Sequence, residues 1–462
     1  MSYATEKLAT DATLERIAEA LEGGSSNGKC IPSVNSVTLD DDNVTATFSV
    51  DAYGSVMIKV SDSNVATASC SGANVVTVKA GLTAGTCTIT CFSTGDTTHG
   101  TAVAFVTVTS TATGVYGVEW DGSALQTWTR TGAAAGFTDP VPAVNGGTGS
   151  SPFDDILPWS GMVKEERVGG TCVKIPKFYY KWTISGSSRK LEISATARDG
   201  FSVSPTHMNR GDGVGERSKV YVGRYHCATS TYKSTTGVKP QASQTRATFR
   251  TNIHALGSNI WQIDIATMIT IWMLYLVEFA NWDSEQTIGF GCGNNSATEN
   301  MGYTDTMLYH TGTMQVNRVT YGVGTQYRWI EGLWDNVLDW YDGIYFATEK
   351  MYVIMNPANF SDTTGGTYAG DRPTESSAYI KSFKNSTVPG LEWFMYPDSH
   401  TGATEDTYVG DYCSYNASGV VLFGGGHYGQ GRNLGLFCLD GSHAASYQSA
   451  NIGSRLLELP AA

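Results

Sequence analysis

The C-terminal stretch 421–456 combines glycine-rich loops with a sparse apolar frame, and few folds accommodate such a pattern. Glycine permits tight turns with positive φ, and it recurs at Gly424, Gly425, Gly426, Gly429, Gly431, Gly435 and Gly453. Between the glycines, apolar residues alternate or cluster as a strand core requires: Leu422, Phe423, Leu436, Phe437, Leu439, Ile452 and Leu456. We therefore predict short strands that are joined by tight loops.

Side chains of unrelated chemistry occupy the positions between these frame residues. We predict that they project outward as a receptor-binding face over 424–455. The candidate receptor-binding residues are His427, Tyr428, Gly429, Gln430, Arg432, Leu434, Asp440, Ser442, His443, Tyr447 and Ser449. Asn433 and Asn451 are interpreted as part of the frame. The alternative is an ordinary structural loop without a binding role.

The composition excludes several classes of partner. Charged residues make up only 16% of the chain, against about 25% in average soluble proteins, so uncharged polar residues must build much of the surface. The net charge is −13, and no run of Lys and Arg occurs. Because phosphate binding needs a clustered cationic footprint, we expect no nucleic-acid partner and no binding to an anionic membrane surface.

Cysteine usage and hydropathy give two further expectations. The nine cysteines show no CxxC spacing, and we predict free, buried thiols. The first residues, Met1–Lys7, contain no apolar signal region. The most apolar stretch, 263–279, is interrupted by Asp264 and Glu278 and is short for a membrane span. We predict that it forms a buried core helix and expect no membrane insertion.

Residues 1–29 predict an amphipathic helix and a linker. Leu14, Ile17, Ala18 and Leu21 recur at helical spacing within 10–22, and Asp11 is the predicted N-cap. The glycine- and serine-rich residues 23–28 follow as a flexible linker. Because one short helix is marginal alone, we interpret this segment as an assembly or docking element. The alternative is a frayed terminus.

Residues 30–111 predict a β-sandwich. Alternating strands at 37–39, 44–50, 56–60, 75–79, 86–90 and 104–108 are separated by turn residues at sandwich spacing. The segment 60–68, with Thr83-Ala84-Gly85-Thr86 after it, resembles bacterial immunoglobulin-like domains of the intimin and invasin group. The resemblance implies a spacer, and the alternative is a weak carbohydrate-binding domain.

We predict that residues 112–170 form a connector that is packed by aromatic side chains. The segments 116–123, 128–131 and 151–159 resemble a stretch that recurs in phage tail proteins. We expect Trp120, Trp128 and Trp159 to pack this segment, since aromatic residues in loops are more often structural than functional.

Residues 171–462 resemble the C-type-lectin fold of proteins related to the formylglycine-generating enzyme. We predict an opening strand at 172–181, a second strand at 220–225 and a buried helix at 263–281. The stretch 329–340 resembles the family signature Gly-Asn-Val-Trp-Glu-Trp, with Asp335, Leu338 and Asp339 as departures, while Trp334 and Trp340 retain the aromatic packing. The C-terminal frame is most similar to variable proteins of diversity-generating retroelements and their phage tail relatives.

Enzymatic alternatives lack their residues. The formylglycine-generating enzymes use a copper-binding cysteine pair near the C-terminus, whereas no cysteine lies between Cys413 and Cys438 here. No HExxH or phosphate-loop motif is present. Asp339 and Asp342 are alternative glycosidase carboxylates, although we interpret them as turn residues. We predict no catalytic residues, no resident metal and no cofactor.

Two weaker motifs remain. The acidic runs 40–42 and 154–155 are alternative Ca²⁺ ligands, but without a calcium-loop spacing we interpret them as solvated turns. The tripeptide Arg210-Gly211-Asp212 spells an integrin-type motif and is interpreted as chance.

The resulting prediction is a mainly β protein with an α+β C-terminal domain, in which an immunoglobulin-like sandwich precedes a C-type-lectin fold. The resemblance implies a non-enzymatic phage tail adhesin that acts at the bacterial surface and binds a surface protein or glycan. It also implies a homotrimer, contact with other tail proteins through the N-terminus, and diversification by a retroelement. The alternatives are an oxidoreductase of the formylglycine-generating type, a glycan hydrolase on the virion, and a purely structural virion protein.

Overall fold

The computed structural model describes residues 27–40, 45–81, 84–111, 114–198, 200–315, 324–373 and 376–461. The fold is mainly β, with 39% strand and 9% helix. The chain divides into a smaller unit, Met1–Gly117 with Thr131–Gly136, and a larger unit, Val118–Arg130 with Phe137–Ala462. Residues 137–170 of the predicted connector thus belong to the larger unit. The predicted N-terminal helix and linker lie outside the described residues, apart from 27–29.

The smaller unit contains two four-stranded sheets. Its strands are β1 (Cys30–Pro32), β2 (Ser36–Leu39), β3 (Thr45–Ala52), β4 (Val56–Val60), β5 (Ala66–Cys70), β6 (Val75–Ala80), β7 (Gly85–Ser93) and β8 (Ala102–Ser110). One sheet has the order β1-β3-β6-β5 and the other β2-β8-β7-β4. Phe48 and Val76 of the first sheet share one core with Leu39, Ile89 and Val106 of the second. The two sheets therefore form a sandwich.

Burial in the sandwich follows the period of two that a half-buried strand requires. In β3, Phe48 and Val50 are buried, whereas Thr47 and Ser49 between and before them are less so. The six predicted strands are present in the described residues. The strands β1 and β5 were not predicted, because β1 is short and β5 lacks large apolar side chains.

Two strands cross the division between the units, namely β9 (Val115–Trp120) and β10 (Thr129–Gly132). The larger unit continues with β11 (Ala143–Val144), β12 (Lys164–Arg167), β13 (Gly170–Pro176), β14 (Tyr179–Ser185), β15 (Ser188–Ser194), β16 (Ser202–Val203), β17 (Lys219–Gly223), β18 (Ile260–Gln262), β19 (Gly312–Thr313), β20 (Thr325–Tyr327) and β21 (Ile330–Glu331). These strands build the sheets β10-β9-β15-β14-β16 and β11-β19-β20-β21. They also supply four strands of a third sheet.

The remaining strands are β22 (Leu338–Tyr341), β23 (Ile344–Ala347), β24 (Lys350–Val353), β25 (Thr367–Asp371), β26 (Ser376–Tyr379), β27 (Ser382–Asn385), β28 (Met395–Ser399), β29 (Tyr412–Tyr415), β30 (Val421–Gly424), β31 (Leu439–His443), β32 (Ile452–Gly453) and β33 (Leu456–Glu458). The third sheet has the order β12-β13-β17-β33-β18, and a six-stranded sheet has the order β26-β29-β31-β30-β22-β32. Smaller sheets are β23-β24-β25 and β27-β28.

Helices in the larger unit are α1 (Arg246–His254), α2 (Ile265–Phe279) and α3 (Ser284–Thr287). Every residue of α2 is buried, which confirms the predicted core helix. The Asp264 side chain caps α2 by accepting a 2.8 Å hydrogen bond from the Thr267 N–H. The helix α1 was not predicted, although the Thr245 side chain caps it in the same way.

The predicted strand 172–181 is two strands in different sheets. β13 ends at Pro176, and β14 begins at Tyr179. Proline has no N–H to donate to a ladder, so the chain leaves the first sheet there and enters another. The predicted strand 220–225 corresponds to β17.

Candidate functional site

A cleft of about 210 Å³ lies at the six-stranded sheet. The predicted receptor-binding residues that line this cleft are His427, Gln430, Asp440, His443 and Tyr447. Other polar lining residues are Tyr412, Ser414, Asn433, Cys438 and Asn451. We call this feature the β30–β31 cleft.

Buried strands position the cleft. β30 pairs antiparallel with β31, and β29 pairs parallel with β31 so that Ser414 and Asp440 are Cα partners. All residues of β30 are buried, and its Phe423 contacts the Trp340 ring edge-on at a centroid distance of 4.9 Å. The frame predicted from glycines and apolar residues therefore does form strand core, and it holds the cleft residues at fixed positions.

A stacked aromatic pair forms one wall of the cleft. The rings of His443 and Tyr447 are parallel within 5°, with centroids 3.6 Å apart. Both rings also lie nearly parallel to Phe423, at 5.6 Å and 6.5 Å. Both side chains are half-buried, so the pair combines a supported ring with an accessible edge, which suits recognition of a planar or apolar group.

His427 and Asn451 form a polar group in the cleft. The His427 Nδ1 contacts the Tyr428 carbonyl oxygen, and its Nε2 lies 3.0 Å from Asn451 Nδ2. Burial lowers the pKa of His427, while the hydrogen bond to Tyr428 opposes this. The neutral ring therefore donates through Nδ1 and accepts through Nε2. Asn451 Oδ1 is buried and has no hydrogen-bond partner among the described residues, so it can accept from a ligand.

Asp440 supplies the negative charge of the cleft. Its Oδ1 accepts hydrogen bonds from the Ser442 N–H at 2.8 Å and from the Ser442 hydroxyl at 2.6 Å. Its Oδ2 lies 3.9 Å from His443 Nε2. Burial raises the pKa of the Asp440 carboxyl, whereas the Ser442 hydrogen bonds and the His443 ring oppose that shift. Ser442 thus orients Asp440 and does not stand alone as a contact residue.

The other predicted residues lie around the cleft. Arg432 is half-buried and pairs with Asp406 at 2.6 Å and with Glu405 at 3.5 Å. Tyr428 and Ser449 are half-buried, and Gly429 is exposed with φ at +76°. Both carboxylates that hold Arg432 come from the loop before β29, which gave no signal in the sequence.

The prediction that Leu434 belongs to the receptor-binding face is wrong. Its side chain is 0% exposed, so it contributes no surface to a receptor. It follows a short 3₁₀ turn, Gly431–Asn433, and packs so close to Gly426 that a Cβ at that glycine would lie 2.4 Å from the Leu434 Cβ. Leu434 is therefore part of the apolar frame.

The sequence interpretation missed the contribution of β29. Tyr412 and Ser414 line the cleft from this strand, where their alternation with the buried Cys413 places them on one face. The alternation Tyr-Cys-Ser-Tyr was a usable signal for a strand. Its pairing beside β31 was not, because a parallel partner leaves no local trace in sequence.

The residues named for the alternative chemistries are buried. Asp339 and Asp342 are 2% and 0% exposed, and they pair with Arg455 at 2.7 Å and with Arg250 at 2.5 Å. Burial holds the pKa of the Cys438 thiol well above its usual value. Within the described residues, no group of three or more His, Cys, Asp or Glu is arranged to hold a metal ion.

The weaker motifs are also accounted for where the structure describes them. Asp154 pairs with His310 at 2.8 Å and with Arg328 at 3.1 Å, while Asp41 and Asp42 lie outside the described residues. Arg210 is 2% exposed and pairs with Asp264 at 2.6 Å, so the tripeptide at 210–212 is not presented as an integrin ligand.

All nine cysteines are free, and eight of them are buried, which confirms the predicted thiol state; Cys70 is half-buried. Among the described helices, none has the length and apolarity that a membrane crossing requires.

Comparisons with known proteins show no family for this chain. No family model matches it, and no curated protein matches it. Among solved structures, a chimeric titin Z1Z2 carrying a KLER peptide from decorin is 11% identical, covering 38% of this chain and 89% of its own, with a TM-score of 0.15. The titin A168169 structure is 10% identical over 42% and 87%, with a TM-score of 0.13. The Yersinia pseudotuberculosis adhesin InvE is 11% identical over 55% and 83%, at 0.15. Likenesses this low carry no argument.

Proposed function

We propose that this protein is a non-enzymatic receptor-binding adhesin of a phage tail fibre or baseplate. It recognises a bacterial surface protein or glycan through the β30–β31 cleft. In this proposal the sandwich is an immunoglobulin-like spacer, the residues 171–462 have a C-type-lectin fold, and the N-terminal residues contact other tail proteins. Sequence resemblance supports the sandwich and lectin-fold assignments, and the predicted amphipathic helix supports the contact with other tail proteins.

The proposal rests on one observation, which is that several predicted receptor contacts lie in the same cleft. Five residues chosen from sequence as receptor contacts line one cleft on a buried sheet: His427, Gln430, Asp440, His443 and Tyr447. The cleft offers a supported aromatic pair, a carboxyl group and the unpartnered acceptor of Asn451. An interface patch with an aromatic anchor and few oriented polar groups is the arrangement that concentrates binding energy.

The test is binding of the purified protein to a panel of bacteria. The variant His443→Ala/Tyr447→Ala removes the stacked pair, and Tyr368→Ala is the matched control, because Tyr368 is a 39% exposed aromatic residue on β25. We expect the double variant to lose at least tenfold in binding to a strain that the wild type binds, while the control keeps it. Equal binding by all three proteins would place the receptor site elsewhere.

A structural role makes the opposite prediction for infection. If the protein only builds the virion, phage that carry the double variant adsorb normally and particle yield is unchanged. A homotrimer is part of the proposal, and light scattering should give three times the mass of one chain. Trimeric display would strengthen weak single-site binding through avidity.

Diversification by a retroelement predicts where sibling copies differ. Variation should fall on the half-buried positions of the face, such as His427, Tyr428 and Tyr447, whereas Leu434 should stay apolar because it is buried. Sequencing the gene across a phage population measures this. Polar residues at 434 in functional siblings would contradict the arrangement.

A further inference from the structure

Arg189 differs from every other buried arginine that the structure describes. The others each form an ion pair with a carboxylate within 3.2 Å: Arg210, Arg217, Arg224, Arg246, Arg328 and Arg455. Arg189 is only 2% exposed, yet no described carboxylate lies within ion-pair distance of it. A buried charge is normally paired with an opposite charge. Arg189 is an exception, and an anionic ligand could supply the counterion.

The partners of Arg189 are neutral. Its Nη1 donates to the Phe383 carbonyl oxygen and its Nη2 to the Asn385 side-chain oxygen, while Nε is buried without a described partner. Asp398 influences Arg189 from a distance, but that carboxylate is exposed and lies 3.0 Å from Lys384 Nζ. Burial lowers the pKa of Arg189 to about 10, so the group still carries its charge at neutral pH.

Arg189 lies in the wall of a separate cleft of about 670 Å³. This Arg189 cleft is formed by the β14–β15 hairpin, with Trp182 and Ile184, by β27 with the loop that follows it, and by Glu392 and Asp398. The second cation of the lining, Lys384, is paired with Asp398. The guanidinium carbon is 5.2 Å from the Trp182 ring centroid. The volume falls in the range of small-molecule sites, and the half-buried Trp182 gives the cleft an aromatic surface.

We propose that the Arg189 cleft binds an acidic saccharide, whose carboxylate pairs with the Arg189 guanidinium and whose ring lies against Trp182. A planar guanidinium matches a carboxylate through two parallel hydrogen bonds, and the buried Nε has no described partner that would compete for one of them. The apolar face of a sugar ring packs on an aromatic side chain. This site is distinct from the β30–β31 cleft and does not depend on the function proposed there.

Calorimetric titration of the full chain tests the proposal with four probes: galacturonate trisaccharide, 3′-sialyllactose with its neutral counterpart lactose, and galactose 6-sulfate. We expect at least one carboxylate probe to bind tenfold or more tightly than lactose, with affinity that falls as salt rises. Binding of lactose with equal affinity, or binding of none of the four, would overturn the proposal. Binding of the sulfate alone would overturn the assignment of a carboxylate.

Two variants locate the site. Arg189→Gln removes the charge, and carboxylate binding should fall at least tenfold. Because Arg189 is buried and this variant could unfold, Ile184→Glu adds a negative charge at a residue that is 47% exposed on the cleft wall. Binding should fall several-fold there at low salt. The matched control Val168→Glu changes a residue that is 70% exposed outside the cleft and should bind as the wild type does.

The variant His443→Ala/Tyr447→Ala separates this site from the β30–β31 cleft. It should bind the carboxylate probe normally even where it no longer binds bacteria. Loss of probe binding in this variant, with binding kept in Ile184→Glu, would move the site to the other cleft and overturn the assignment to Arg189.

Discussion

The sandwich and the larger unit are built on different kinds of core. In the sandwich, the buried cluster consists of aliphatic and sulfur-containing side chains with one aromatic ring, Phe48, and the described buried polar residues are only Ser93 and Ser110. In the larger unit, buried arginines and carboxylates form ion pairs, as at Arg455 with Asp339 and Arg328 with Glu278.

We expect the two kinds of core to lose stability in different ways when a buried residue is substituted. An aliphatic core loses stability in proportion to the volume removed, and neighbouring side chains relax into part of the space. A buried ion pair is all-or-none, since removing one partner leaves the other charge uncompensated. We therefore expect the larger unit to be more sensitive to the loss of a single charged partner.

The largest expected effect is at Arg455. Its guanidinium pairs with Asp339 at 2.7 Å and donates to the Gly223 and Gly332 carbonyl oxygens. Arg455→Met should cost about 3–5 kcal/mol, because Asp339 stays buried without its guanidinium partner. All eleven tryptophans lie in the larger unit, so tryptophan fluorescence in urea measures this unit. Arg432→Met removes a half-exposed pair and, as the control, should cost at most about 1 kcal/mol; equal losses would contradict the comparison.

The next effect is a cavity in the sandwich. Ile89 is 0% exposed at the centre of β7, and Ile89→Ala should cost about 2–5 kcal/mol through lost transfer energy and the cavity left behind. Labelling of the buried Cys87 and Cys91 thiols in urea measures opening of this unit. Ile31→Ala, at a residue that is 58% exposed, should leave the labelling curve almost unchanged.

A smaller effect is pH dependence in the larger unit. Burial raises the pKa of Glu331 to about 7, although Gly302 and Thr304 donate hydrogen bonds to it. The folded state therefore binds the proton more tightly than the unfolded state. The stability that this provides is complete below pH 4.5, the ordinary value, and is lost as the pH rises through about 7.

Glu331→Gln removes this titration, so the stability advantage of the wild type over the variant should shrink between pH 4.5 and 7. The change should be at most about 1.4 kcal/mol per pH unit. Urea unfolding followed by tryptophan fluorescence across this range measures it, with the exposed Glu349→Gln as control. A difference that is flat with pH would show that Glu331 is already ionised.

The smallest effect belongs to the surface of the sandwich. Lys29 pairs with Asp51 at 2.5 Å, and Asp51 is largely exposed. Solvent screening leaves such a pair with little net contribution, so Lys29→Ala should not shift the thiol-labelling midpoint. A clear shift would mean that the sandwich, like the larger unit, depends on charge.

The contrast between the cores also explains what the sequence could predict. Sandwich strands and the helix α2 were found because a period of two and a long apolar run are local signals. The short strands β30 and β31, which hold the β30–β31 cleft, were predicted for the same reason. Leu434 was misplaced because its burial depends on packing against Gly426. Tyr412 joins the cleft through a parallel strand pairing, and the missing counterion of Arg189 is visible only when every neighbour is known.

The position of β33 has a consequence for synthesis. This strand lies between β17 and β18, pairing Tyr221 with Glu458 and Ile260 with Glu458 on its two sides. While a ribosome is still making the intervening residues, the facing edges of β17 and β18 have no strand between them, and exposed edges recruit other chains. All strands of the sandwich have been made once residue 110 is reached, whereas this sheet waits until residues 263–455 have also been translated. Nascent chains stalled before Leu456 should therefore depend on chaperones far more than chains stalled after the sandwich.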